Sequence, residues 1–85
     1  MYLHLGHKSM IQTDDIIGIF DLDTASVSVH TRNYLKKAQE AGVVFEAGPE
    51  LPKSFVVTDT PTGQKVYLSA LGSLTLEARS KQFGL

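Results

Sequence analysis

At 85 residues the chain is one domain, and a chain this short buries only about 60–65% of its unfolded surface, so assembly with further copies is a natural supplement to its stability. It has no cysteine, which excludes disulfide staples and thiolate metal sites, and its longest apolar runs are about five residues against the roughly 20 that cross a bilayer as a helix. A formal net charge of −1 sets it apart from the strongly basic domains that coat DNA, without closing a nucleic-acid reading.

Tyr2–Leu5 alternates and stops at Gly6-His7-Lys8, which predicts a strand and a turn, with Ser9–Gln12 as the returning strand of a hairpin. No basic lead precedes Met1–Leu5 and no small-residue cleavage site follows it, so no signal peptide and a cytoplasmic location are expected. Thr13-Asp14-Asp15 interrupts the pattern. Ile16–Phe20 then resumes as a strand apolar on both faces, and such a strand needs cover on both sides. By strict alternation Gly18 shares a face with Ile16 and Phe20. A glycine inside a strand marks a bulge or a close backbone approach.

Val29–Ala41 predicts the main helix, with Thr31, Tyr34, Leu35, Ala38 and Ala41 near the helical period and Arg32, Lys36, Lys37 and Glu40 between them. Ser28 is placed to cap its start and Gly42 to end it in a left-handed conformation. Val43–Phe45 restarts extended chain, and the Gly48-Pro49 and Pro52 region is a loop. Ser54–Thr58 is a second strand apolar on both faces, Asp59–Gln64 a hairpin loop, and Val66–Ala70 a strand with one core face. Ser73 caps a short terminal helix over Leu74–Arg79. The expected fold is α+β: a small, mostly antiparallel sheet with one central amphipathic helix and a short C-terminal helix. The two doubly apolar strands are expected at its centre. The helix would cover one face, and the terminal helix or a neighbouring subunit the other.

No constellation of residues points to catalysis. The serines lie outside a Gly-x-Ser-x-Gly elbow, and the glycines form neither a phosphate loop nor a dinucleotide fingerprint. His4 and His7, three apart on a strand and turn, face opposite sides and need a third ligand to hold zinc, so no metal and no cofactor is expected. Asp14, Asp15, Asp21 and Asp23 flank a strand at a spacing that fits no calcium loop, and read as solubilising strand ends. Arg32 and Lys36 share a helix stripe with Lys37 beside it, which serves either as a solvated face or as a set of phosphate contacts. Lys8 and Lys53 lie in loops, where cations reach phosphates more readily. Tyr34 and Tyr67 read as core or interface aromatics.

Five blocks in order resemble one family: Tyr2-Leu3-His4-Leu5-Gly6, Ile16-Ile17-Gly18-Ile19-Phe20-Asp21, Pro52-Lys53-Ser54-Phe55-Val56-Val57-Thr58, Val66-Tyr67-Leu68-Ser69 and Ser73-Leu74-Thr75-Leu76-Glu77-Ala78-Arg79. Together they look like the RemA/RemB-type extracellular matrix regulators, once a domain of unknown function, with the RemB branch the closer match over residues 1–85. The resemblance implies a non-enzymatic cytoplasmic regulator of biofilm-matrix genes that forms homo-oligomers; proteins of the RemA branch form rings and bind DNA upstream of such genes. In that branch an arginine precedes the strand matching Ile16–Phe20, and further arginines occupy the loop before the strand matching Phe55–Thr58. Here Asp15 and the run Glu50-Leu51-Pro52-Lys53 stand in those places. An acid in place of arginine turns phosphate attraction into repulsion, so only the neighbourhood of Lys53 carries over.

Two functional readings follow. The first is an oligomeric DNA-binding regulator using Lys53, Lys8, Arg32, Lys36 and Lys37, with subunits meeting through Ile16, Gly18, Phe20 and Phe55. The second is an assembly or protein-interaction module of the same fold that does not bind DNA.

Overall fold

Ser54–Thr58, apolar at every second position on both sides, becomes the centre of the structure. The computed structural model describes residues 2–6, 9–22 and 29–82. The strands are β1 (Tyr2–Gly6), β2 (Ser9–Gln12), β3 (Ile16–Asp21), β4 (Val44–Glu46), β5 (Ser54–Thr60) and β6 (Gly63–Ser69); the helices are α1 (Val29–Glu40) and α2 (Ser73–Gln82). A 3-10 turn over Thr13–Asp15 joins β2 to β3. β1 and β2 form a two-stranded hairpin, and the other four make a sheet in the order β3-β5-β6-β4. The fold is α+β, and its sheet pairs are antiparallel except β4 with β6. That parallel pair follows from the crossover: α1 carries the chain from one edge of the sheet to the other and returns it in the direction of β3.

The two faces of β5 build two cores. Val56 packs with Leu3, Leu5 and Ile11 of the hairpin, Ala47 and Leu76 of α2. Phe55 and Val57 pack with Val66 and with Ala38 of α1, helped by Tyr34, Leu35 and Leu68. The second face of the sheet is therefore covered by the hairpin and α2 of the same chain. Val66–Ser69 is likewise covered on both faces, not one: Val66 and Leu68 look toward α1, while Tyr67 joins the hairpin side.

Two expectations about Ile16–Phe20 are corrected. β5 is central, but β3 ends the sheet. The ladder also shifts between Ile16, opposite Thr58, and Gly18, opposite Val57. This bulge at Ile17 breaks strict alternation, so Ile16 joins Ile19 on the hairpin side while Phe20 stacks on Phe55 on the helix side.

The expected end of α1 is present in full. Gly42 has φ +74, its N–H donates to Gln39 O at 3.1 Å, and Val43 N–H donates to Ala38 O at 3.1 Å, the paired bonds of a Schellman motif. The expected cap at Ser28 lies outside the described residues. The β5–β6 hairpin is tighter than expected: Thr60 pairs with Gly63, leaving Pro61-Thr62 as the turn.

Polar groups pin the first core. Ser69 is buried; its Oγ donates to Leu5 O at 2.5 Å and accepts from Leu71 N at 3.1 Å. Ser54 Oγ donates to Leu71 O at 2.7 Å. The two serines tie the sheet to β1 and to the segment that leads into α2.

Candidate functional site

Lys53 is exposed, but its backbone is clamped on both sides. Its N–H donates to Ser69 O at 2.8 Å, and its C=O accepts from Leu22 N at 3.0 Å. The side chain therefore projects from a fixed point at the start of β5. Pro52, one residue before, lines a 380 Å³ groove with Leu35 and Gln39 of α1, which brings the Lys53 loop beside the half of the helix that carries Lys36 and Lys37. Arg32, Lys36 and Lys37 are all exposed on α1. Lys8 lies outside the described residues. The neighbourhood is not purely basic: Glu46 lines the same groove, and Glu50 and exposed Leu51 lie in the same loop.

The four residues expected at a subunit contact do not share one surface. Phe55 is 2% exposed and belongs to this chain's own core. Ile16 packs on the hairpin side. Gly18 and Phe20 remain together, because a Cβ at Gly18 would stand 2.7 Å from the Phe20 ring. That ring lies flat on Phe55, with centroids 5.0 Å apart and planes at 19°. Phe20 is 42% exposed and Ile17, at the bulge, 57%.

Ile17, Phe20, Phe55 and Val57 floor a second groove of 360 Å³, walled by Tyr34 of α1 and by Gln64. Tyr34 Oη donates to Gln64 Oε1 at 3.4 Å across its rim. Strict alternation hides Ile17 as a buried residue; the sequence signal for it was the glycine that followed, since glycine often accompanies a bulge. Tyr67 stacks with Phe45 at 5.5 Å on the hairpin side, and Phe45 is itself exposed, as are Tyr2, Met10 and Leu74.

Among the described residues, no three His, Asp or Glu side chains converge to hold a metal ion, and no helix is long and apolar enough to cross a membrane. Both grooves are floored mainly by apolar side chains, an arrangement suited to contact rather than to proton transfer or nucleophilic attack.

A family model described as RemA-like, extracellular matrix regulatory protein A-like, matches residues 2–79. The chain is also 41% identical over 81 residues to the extracellular matrix regulatory protein B of Bacillus subtilis (strain 168), an alignment that covers 95% of this chain and 91% of that protein. The match runs through the hairpin, both cores, the Lys53 loop and most of α2, so it spans the whole architecture and not one motif. The chain belongs to the RemA-like family of extracellular matrix regulatory proteins, in its RemB branch.

Proposed function

We propose that the protein is a non-enzymatic cytoplasmic regulator of extracellular-matrix gene expression that works as a homo-oligomer and contacts DNA through repeated, individually weak basic patches. One observation carries this reading: 41% identity over 95% of the chain to a protein named as an extracellular matrix regulator. The disposition of cations supports the DNA arm. Lys53 stands on a fixed loop whose Pro52 lines a groove with Leu35 and Gln39 of α1, and Arg32, Lys36 and Lys37 are exposed on that helix. A patch of this size in a chain of net charge −1 binds weakly alone, and an oligomer multiplies it through effective concentration.

The test is a titration of promoter and random DNA at several salt concentrations, with light scattering on the same samples. The expected result is an assembly larger than a monomer whose DNA affinity falls steeply with salt and falls further in Lys53→Glu. A monomer at micromolar concentration, or no shift with either DNA at low salt, overturns it. Oligomers that bind no DNA would leave the second reading, an assembly module that meets a protein.

A further inference from the structure

A third cavity, of 170 Å³, lies where the paired ends of the hairpin, Tyr2 and Gln12, meet the sheet, and its lining is more polar than that of the two grooves. Asp15 and Thr58 line it together. The fold sets them side by side, because Ile16, which follows Asp15, pairs with Thr58 across the β3–β5 ladder. Thr58 is buried, and the proton of its hydroxyl is committed: Oγ1 donates to Lys65 O at 3.0 Å. What remains on that oxygen is lone pairs. Asp15 is half-buried, and its side chain makes no hydrogen bond or ion pair among the described residues; a carboxylate only accepts. Thr60, which also lines the cavity, donates to Gly63 O at 2.7 Å and accepts from Thr62 N at 3.3 Å, so it too has no proton left to give. Tyr2 and Tyr67 add two aromatic rings to the wall. Only Gln12 and the two phenols can turn to donate or accept as an occupant requires.

We propose that this cavity binds the ammonium head of a short aliphatic amine, held by Asp15 and Thr58, with its alkyl chain against Tyr2 and Tyr67. An ammonium has donors and no acceptor, which matches a site whose fixed polar groups accept. Aromatic rings attract cations as well. The same atoms disfavour other occupants. A phosphate or carboxylate would meet the Asp15 charge with no fixed donor to offset it. A calcium ion takes about six or more oxygens, while one carboxylate lines this cavity and no three His, Asp or Glu converge among the described residues. Nucleotide- and drug-sized molecules fill pockets of roughly 300 Å³ or more, well above this volume. Lys65 stands opposite Thr58 in the β5–β6 ladder, yet it makes no ion pair with Asp15, so the facing cation of the same chain leaves the carboxylate open. A free amine and a lysine side chain carry the same head group, and the test separates the two. This inference goes beyond the proposed gene regulation and rests neither on Lys53 nor on DNA.

The test titrates the full chain with butylammonium and two controls of similar shape, 1-butanol and butyrate, read by saturation transfer to the ligand protons in NMR. Butylammonium is expected to saturate with a Kd of about 1–10 mM. 1-Butanol should bind about tenfold more weakly, and butyrate not at all. Asp15→Asn should weaken butylammonium about tenfold, whereas Asp14→Asn, outside the cavity, should leave it unchanged. Tyr2→Leu, at an exposed site, should weaken it about twofold and serves should Asp15→Asn fail to fold. Nα-acetyl-lysine N-methylamide identifies the source of the head group. Binding about tenfold tighter than butylammonium assigns the site to a lysine of a partner protein, and equal or weaker binding assigns it to a free amine. Equal binding of butylammonium and 1-butanol overturns the proposal, as does no saturation by about 50 mM. So do equal losses in Asp14→Asn and Asp15→Asn, which would make binding a matter of net charge. Binding that appears only in Lys65→Gln overturns it too, because the chain's own ammonium then fills the site. Because the readout contains no DNA, its failure leaves the DNA titration standing, and the reverse holds too.

Discussion

A Cβ at Gly18 would approach two carbons of the Phe20 ring to 2.7 Å, but those carbons are the far end of a half-exposed side chain that can swing away. Gly18→Ala therefore loses the Phe20–Phe55 stack, about 0.5–1.5 kcal/mol, and regains a similar amount from the lower backbone entropy of alanine in a strand. Its denaturation midpoint should stay within about 1 kcal/mol of the parent, while the contact between the two rings disappears from NMR spectra and the groove beside β3 is remade. Loss of several kcal/mol would show that Phe20 has nowhere else to go. Ser69 is the opposite case. It is buried, its hydroxyl both donates to Leu5 O and accepts from Leu71 N, and Ser69→Ala strands both backbone groups away from water. A loss of about 1–3 kcal/mol by urea unfolding is expected; a change under about 0.5 kcal/mol would mean that water or a backbone shift replaces the bond.

The two layers on the sheet differ in how firmly they are held. The hairpin and α2 bring Leu3, Leu5, Ile11 and Leu76 into one core, all nearly without solvent contact. α1 contributes Ala38, 9% exposed, as its most buried side chain among the described residues, with Tyr34 and Leu35 half-buried. Leu76→Ala should therefore cost about 2–5 kcal/mol and loosen the hairpin with it. Native-state hydrogen exchange should find β5 amides protected to the global limit and α1 amides opening earlier. Equal protection in α1 and β5 would refute that ranking. Sequence alone exposed most of these elements, because Val29–Ala41 carries the helical period and Tyr2–Leu5 the strand period. It also located the helix end, since Gly42 is one of few residues suited to a left-handed position. What it hid were relations between elements. Period-2 alternation assigns Ile16 and Gly18 to one face, and only the ladder with β5 reveals the bulge that separates them. A doubly apolar strand reads as central, yet β3 lies at an edge because the hairpin side buries Ile16 and Ile19 while Phe20 has only a groove. Lys53 was legible as a loop cation; the nearness of its loop to the second half of α1 was not, since 15 residues of chain lie between it and Lys37.

For the molecule as a whole, acids and cations are interleaved: Asp21 ends β3 next to Leu22, whose N–H donates to Lys53 O. The edge of β3 is bounded by acids, while Lys53, Arg32, Lys36 and Lys37 are exposed on the Lys53 loop and α1. A single copy with net charge −1 gains little from its few phosphate contacts, so DNA affinity must grow with the number of copies that touch one duplex. The slope of log affinity against log salt reports that number, at about 0.9 for each phosphate neutralised on B-DNA. Lys53→Glu removes one cation from every copy in contact, so its effect on the slope should scale with copy number and exceed the change of about 1 expected for a single site. Asp15→Asn should move affinity the other way, by removing a repulsion at a position where a cation would favour phosphate. If Lys53→Glu changes the slope by only about 1 while light scattering finds a large assembly, only one copy meets DNA at a time and the basic patches do not act together. If Asp15→Asn leaves affinity unchanged while Lys53→Glu lowers it, the Asp15 end of β3 faces away from the duplex, and the repulsion expected of an acid in that place does not reach the phosphates.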